Sequence, residues 1–339
     1  MGRQPLVAAL AALAALALPA VAVAGSGGFA PPEPASPSAE RIADIYWLIL
    51  AFAGLVLLLV VVPLVLFAVR FRNRGGDRDV EGPQIRGNTN LEVAWTLVPV
   101  VILFVVGAFV FYKLPGITDP ARAQDGRPVE VTVEGRQFYW RYVYDGGEVA
   151  IDRLRLPLGV EAELRLTAPE HDVLHSWWAN ELTGKRDTIP GQGTTIRIVP
   201  TREGAFTVRC GEFCGVQHSA MLGAVEVVPE DEFRRWLDER REQQLAGSPE
   251  LGEELWTGAC AKCHGEDVAG ELAPPLQGNP VLRDADALRD VVVTGPGEMP
   301  PVGRGWTDGE LDALTAYLRE NLAGGTGGDG GEDGEGDGG

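Results

Sequence analysis

Twenty-five consecutive residues, Ile45 to Val69, carry no charged side chain. A helix of about 20 apolar residues crosses the hydrocarbon core of a bilayer, so this run is long enough to span a membrane. Pro63 lies inside it, and a proline within a helix removes a hydrogen bond and favours a kink there. A second apolar run, Val93 to Tyr112, also suffices. Between the two runs stand Arg70, Arg72, Arg74, Arg78 and Arg86. Cytoplasmic loops collect Lys and Arg, so this loop faces inward and both flanks face outward. The alternative is a buried helical hairpin of a soluble protein, which the length of the first run disfavours. Ahead of the hairpin, Met1 to Ala24 has the pattern of a secretory signal. Arg3 is its charged start, Leu6 to Leu18 its apolar core, and Ala22-Val23-Ala24 a small-residue cleavage site. An uncleaved third span is the other reading of that segment. The expected organisation is a signal at 1–24, a Pro/Ser/Gly-rich linker at 25–44, a first span at 45–69, an inner loop at 70–92 and a second span at 93–114.

The remainder has a different character. The chain has 339 residues and a formal charge of −19, yet residues 1–114 hold 8 basic and 7 acidic side chains. The acidity therefore belongs to the part after the second span. Such a balance argues against nucleic acid as a partner, since binding it needs a basic face. From about Arg127 apolar residues alternate with polar ones: Val129, Val131, Val133, then Ala162, Leu164, Leu166, then Ile196 and Ile198. Alternation in many short runs with Gly/Pro punctuation implies an all-β sandwich or barrel over 127–229. After Pro229 the pattern becomes helical. Asp231 to Ala246 is a charged helix ended by Gly247-Ser248, giving a linker helix over 230–248. Ser248 has the character of an N-cap with Pro249 at the first helical position. Thr307 and Glu310 form a capping box, after which Leu311, Leu314, Leu318 and Leu322 line one face. These helices bracket a loop-rich middle of about 45 residues. From Gly324 the chain is almost wholly glycine and acid, which cannot bury a core. The expected fold class is thus a two-helix transmembrane hairpin, an all-β domain, then an all-α domain at 249–323 and a disordered tail at 324–339.

Four cysteines fall as two close pairs, Cys210/Cys214 and Cys260/Cys263. Residues 210–221 read Cys-Gly-Glu-Phe-Cys-Gly-Val-Gln-His-Ser-Ala-Met. Cys210, Cys214, His218 and Met221 are all metal-competent. Soft thiolate and thioether donors suit copper, and imidazole suits it in both oxidation states. His175 lies upstream in Asp172-Val173-Leu174-His175-Ser176-Trp177. A disulfide between Cys210 and Cys214 remains the alternative, because an exported domain permits one.

The pattern Cys-x-Glu-x-Cys-x-x-x-His-x-x-Met, preceded by Asp-Val-Leu-His-Ser, resembles subunit II of haem–copper cytochrome c oxidases. The resemblance covers roughly residues 40–230 and implies a cupredoxin-like Greek-key domain holding the dinuclear copper centre CuA. It implies that Cys210 and Cys214 bridge two coppers and that His175 and His218 each bind one. Met221 and the Glu212 carbonyl would be weak axial ligands. The Glu212 carboxylate would reach a magnesium or manganese ion shared with subunit I. Glu92-Val93-Ala94-Trp95-Thr96 with Pro99 resembles the start of the family's second span. The family's glutamate there, here Glu92, lies near the inner mouth of a proton pathway; a solvated helix-end acid is the plainer reading. Gly135-Arg136-Gln137-Phe138-Tyr139-Trp140 resembles the aromatic stretch beside the copper site. Many members carry tryptophan where this chain carries Phe138, the position at which a docked cytochrome c delivers its electron. Packing of the β core is the plainer reading of Phe138, Tyr139 and Trp140.

Cys260-Ala261-Lys262-Cys263-His264 is the attachment signature of a c-type haem. The thiols add to the vinyl groups and His264 becomes an axial ligand. Met1 leaves with the signal and Met221 goes to copper, so of three methionines Met299 remains as the sixth ligand. Met/His ligation raises a haem's potential. Residues 249–323 resemble a small class I cytochrome c domain, with Ala273-Pro274-Pro275-Leu276 in its haem-packing loop. Together the two resemblances imply a caa-type fusion in a bacterial plasma membrane, its soluble domains on the outer side. Electrons would enter at haem c, pass to CuA and leave to haem a of subunit I. Oxygen reduction and proton pumping would belong to the complex with subunits I and III. The donor would be a cytochrome bc complex or a small c-type cytochrome. Two other functions fit parts of the pattern: the electron-entry subunit of a CuA-containing nitric oxide reductase, and a copper-handling thiol-redox protein.

Overall fold

The computed structural model describes residues 30–72, 82, 84–118, 127–270 and 272–321. It separates into two units, Met1–Ala121 and Arg122–Gly339. The expected signal and the acidic tail lie outside the described residues, as do Arg74 and Arg78.

The first unit is built on two helices, α1 (Pro37–Arg70) and α2 (Thr89–Lys113), followed by a single turn at Pro115–Thr118. Both are long and apolar enough to cross a membrane. Their large apolar side chains, such as Leu57, Leu59, Leu103 and Phe104, are exposed, as expected of helices that meet lipid or other helices rather than a water-excluding core. Both helices begin earlier than the expected spans at 45 and 93. Ser36 caps α1 by accepting from the Ala39 amide at 3.1 Å, with Pro37 in the first turn. Asn88 caps α2 by accepting from the Leu91 amide at 3.2 Å. Hydropathy marks where lipid begins, whereas caps mark where the helix begins, so the polar first turns were missed. Lys113 at the end of α2 pairs with Asp44 of α1 at 2.5 Å.

The second unit opens with ten strands: β1 (Val129–Arg136), β2 (Tyr139–Tyr144), β3 (Val149–Ile151), β4 (Arg153–Pro157), β5 (Ala162–Thr167), β6 (His175–Trp178), β7 (Arg186–Thr188), β8 (Thr194–Ile198), β9 (Gly204–Cys210) and β10 (Leu222–Val228). They form two five-stranded sheets, ordered β3-β2-β1-β5-β8 and β4-β10-β9-β6-β7. β1 runs parallel to β5, and β4 parallel to β10; the other pairs are antiparallel. Successive side chains on a strand point to opposite faces, and the buried set Val131, Val133, Leu164, Leu166, Ile196 and Ile198 is the alternating one. The core lies between the two sheets.

Helix α3 (Glu230–Ala246) follows. It is braced against the β domain and is no free tether. Tyr144 meets Phe233 and Trp236, with ring centroids 6.0 and 5.2 Å away. Gln244 accepts from the Val149 amide at 2.7 Å, and Arg241 pairs with Glu148. Two aromatics on one face of a mostly charged helix suffice to anchor it. Beyond it come α4 (Pro249–Leu255), a π-helical turn Trp256–Cys260 and a short helical turn Ala261–His264. The stretch expected to be loop contains a further helix, α5 (Ala285–Thr294). Asp284 caps it by accepting from the amides of Asp286 and Ala287, and Gly295 closes it at φ 63°. The last helix is α6 (Asp308–Asn321). Its capping box forms as expected: the Thr307 amide donates to Glu310 Oε2 at 2.8 Å, and the Glu310 amide to Thr307 Oγ1 at 3.3 Å. Helices α4 and α6 cross at Gly252, where any Cβ would run into the Ala313 carbonyl.

The β and helical parts share one core. Tyr139, Val149 and Ile151 cluster with Leu251, Leu255, Trp256, Leu314 and Leu318.

Candidate metal and haem sites

The first site forms where β6 and β9 meet. His175 opens β6, Cys210 closes β9, and Trp177 is the strand partner of Cys210. The loop after β9 then folds back through a 3₁₀ turn, His218–Ala220, before β10. Ligand atoms of His175, Cys210 and Cys214 lie within 4.8 Å of one another, and all three residues are buried. The Cys214 sulfur is 3.6 Å from His218 Nδ1 and 3.8 Å from the Met221 sulfur. The Cys210 sulfur is 3.1 Å from the Glu212 carbonyl oxygen. Every atom expected to ligate copper thus converges on the two sulfurs. Those sulfurs are 3.9 Å apart, where a disulfide needs about 2.05 Å, and all four cysteines are free.

The local electrostatics suit a cation. Hydrogen bonding from the Cys214 thiol and from backbone groups holds the Cys210 thiol well below its ordinary value. The same coupling, with burial, drives the Cys214 thiol upward. His175 Nε2 meets Asp172 Oδ1 at 3.0 Å. Its Nδ1 is buried without a hydrogen-bond partner. A buried ring nitrogen left open, with its opposite nitrogen fixed by a carboxylate, is how a metal-binding imidazole is held. The donor set therefore fits copper, through two sulfurs, two imidazoles and a thioether. The Glu212 carboxylate points elsewhere, to Lys185 Nζ at 3.3 Å.

The second site is an apolar cavity of about 250 Å³. Cys260, His264 and Met299 line it, with Leu276, Leu288 and Leu314 among its walls. His264 Nδ1 faces the Pro274 carbonyl at 3.0 Å. That bond fixes the ring and leaves Nε2 for an iron atom. Burial pushes the Cys260 thiol up to about 12. An apolar slot holding a thiol, an oriented imidazole and a thioether fits a covalently attached haem.

The aromatic stretch lies between the two sites. Phe138 is only 7% exposed, and Tyr139 and Trp140 are fully buried. The Trp140 ring meets the His175 ring edge-on, with centroids 6.3 Å apart. Tyr139 Oη donates to the Val302 carbonyl at 2.6 Å and accepts from Trp306 Nε1 at 3.0 Å, so it joins the β domain to the helical part. The Phe138 ring packs on Gly215, which sits at φ 134° and where a Cβ would touch that ring. Glu92, in the other unit, is exposed, and its Oε1 accepts from the Asn88 amide at 3.3 Å. In this structure it completes the N-terminal cap of α2.

Sequence reasoning passed over several residues. Asp172 stands three before His175 and was quoted only as part of a motif; that spacing was its signal. The pairings that join the two parts, through Arg136, Arg141, Gln217, Lys262 and Glu310, had no signal in the sequence. Arg141 grips Glu310, and Arg136 Nη1 donates to the Arg304 carbonyl at 2.7 Å. Lys262 Nζ pairs with Asp152 at 2.6 Å. Burial raises the Asp152 carboxyl to about 6 despite Lys262.

Three sequence families match successive parts of the chain. Residues 25–112 match the transmembrane domain of cytochrome c oxidase subunit II, and 147–228 its periplasmic domain. Residues 247–318 match cytochrome c oxidase, cbb3-type, subunit III. Cytochrome c oxidase subunit 2 of Alkalihalophilus pseudofirmus is 28% identical over 85% of this chain and 89% of its own length. That of Cereibacter sphaeroides is 30% identical over 60% of this chain and 79% of its own. The solved periplasmic domain of cytochrome oxidase subunit II from Bradyrhizobium japonicum is 23% identical. It covers 35% of this chain and 97% of its own, with a TM-score of 0.33.

Proposed function

The chain belongs to the cytochrome c oxidase subunit II family, and on that premise we propose that it is the electron-entry subunit of a haem–copper oxidase with its own covalent haem c. Cys260 and Cys263 would attach the haem, with His264 and Met299 as the residues offered to its iron. His175, Cys210, Cys214, His218, Met221 and the Glu212 carbonyl would hold the copper of CuA. The two groups supply one-electron carriers. The residues of the chain hold them in buried, pre-shaped sites, so that little rearrangement accompanies each change of charge. Bound there, the haem and the copper would supply one-electron carriers between a donor cytochrome and haem a of subunit I, where the complex would reduce oxygen. Glu212 is the residue offered to a magnesium or manganese ion at the boundary with subunit I, and Glu92 to that subunit's proton pathway. The two apolar helices and the arginines between them support a topology with the soluble unit on the outer side of the plasma membrane.

The observation that carries this reading is the buried convergence of His175, Cys210 and Cys214. Its test is metal analysis of the full chain purified from its membrane, with and without Cys210→Ser and Cys214→Ser. The unaltered chain should carry two coppers and one haem, with the near-infrared band of mixed-valence copper. The double variant should lose the copper and keep the haem. Unchanged copper content would overturn the assignment.

A further inference from the structure

The segment that attaches haem touches the loop that binds copper. Gln217, one residue before His218, donates from its side-chain amide to the main-chain carbonyl of Lys262. Lys262 is one residue before Cys263. Its Nζ also donates to the Phe138 carbonyl at 3.0 Å. The neighbouring Gln137 donates from Nε2 to the Cys214 carbonyl at 2.8 Å. Its main-chain amide donates to Asp172 at 3.2 Å, and Asp172 holds His175. Two routes of covalent and hydrogen bonds therefore leave the haem-attachment motif. One crosses a single hydrogen bond and enters at His218. The other passes through the Lys262 side chain and enters at Cys214 and His175.

We infer that Gln217 and Lys262 are positioning residues that couple the haem site electronically to the copper site, each carrying one of these routes. The inference rests on the function proposed above. Tunnelling falls off more steeply across gaps than along bonds, so a path with one hydrogen bond and no gap dominates a longer one. Transfer oxidises the haem side by one electron and reduces the copper side by one; no covalent bond changes. Both routes run through half-buried side chains, with Phe138 buried beside them. Gln217 and Lys262, whose Nζ also pairs with Asp152, are two of several contacts between the two parts. Arg141 with Glu310, Arg136 with the Arg304 carbonyl, and Tyr139 with Trp306 hold them together.

The test uses the full chain loaded with both cofactors. Variants are Gln217→Met, Lys262→Met, the double variant and Lys262→Arg. Haem c is photoreduced and the copper near-infrared band followed in time. Gln217→Met should slow the transfer several-fold and Lys262→Met by less, the double variant by roughly an order of magnitude, and Lys262→Arg should keep close to the parent rate. Copper and haem content, both spectra and both midpoint potentials should stay at the parent values. Hydrogen exchange of β2 and α6 in the cofactor-free chain should also be unchanged. A double variant as fast as the parent overturns the inference. So does slowing accompanied by faster exchange in β2 and α6, which would mean that these residues only hold the parts together. A parent chain lacking either absorption band overturns the underlying function as well, and so separates the two failures.

Discussion

Arg141 of β2 grips Glu310 of α6 through two hydrogen bonds, Nε to Oε1 at 2.9 Å and Nη2 to Oε2 at 2.8 Å, with both side chains buried. The pair joins residues 169 apart in the chain. Glu310 also closes the capping box of α6, so one carboxylate both starts that helix and fixes it to the β domain. Removing one member leaves the other charge buried and alone. Glu310→Gln should therefore cost about 3–5 kcal/mol, whereas replacing both members by apolar residues of similar size should cost much less. Denaturant unfolding of the full chain, read by Trp306 and Trp256 fluorescence, checks the difference.

Acid should loosen the same junction through Glu134. Burial opposes its charge, but Arg136 and Arg141 together hold the carboxyl below its ordinary value of 4.5. A carboxylate lowered in the folded state contributes stability above the unfolded value and loses it as pH falls through the folded one. Stability should thus fall from about pH 4.5 downward, and Glu134→Gln should remove part of that slope. Unfolding midpoints measured across this range give the answer; parallel slopes in the two chains would exclude the role.

Asp172 should tune copper without touching it. Its carboxylate orients His175 through Nε2. Loss of such a partner typically lowers metal affinity about 10- to 100-fold. Competition of Asp172→Asn and the parent for copper against a chelator should show that drop, with haem content unchanged.

The crossing of α4 and α6 should tolerate no side chain at Gly252. A Cβ there meets the backbone of Ala313, which has no rotamer with which to yield. Gly252→Ala should cost about 1–3 kcal/mol through overpacking, despite alanine's better helix propensity. A thermal melt of the haem-loaded chain, followed at the haem absorption, reads this directly.

The patterns that repeat locally were legible in the residues alone. Uncharged runs gave two spans, alternation gave strands, and the capping box of α6 appeared where Thr307 and Glu310 placed it. The candidate ligands, too, stand at short spacings: Cys210 to Met221 within one loop, and Cys260 to His264 within one turn. His175 was reachable only because Asp-Val-Leu-His-Ser resembles a family motif. Helix α5 was missed because it is only ten residues long and ends in three consecutive valines and a threonine, β-branched residues that do not mark a helix. Helix α3 looked like a tether because its charge hides the two aromatics that bind it.

Chemistry carried by neighbours in the chain was therefore fixed by sequence: which side chains can bind copper, and which thiols can hold a haem. Tertiary structure alone decided how the two sites face each other. Arg141 and Glu310, Tyr139 and Trp306, Gln217 and Lys262 are each ordinary residues far apart along the chain. No periodicity or spacing relates them, because their pairing follows from two parts distant in sequence packing into one shared core.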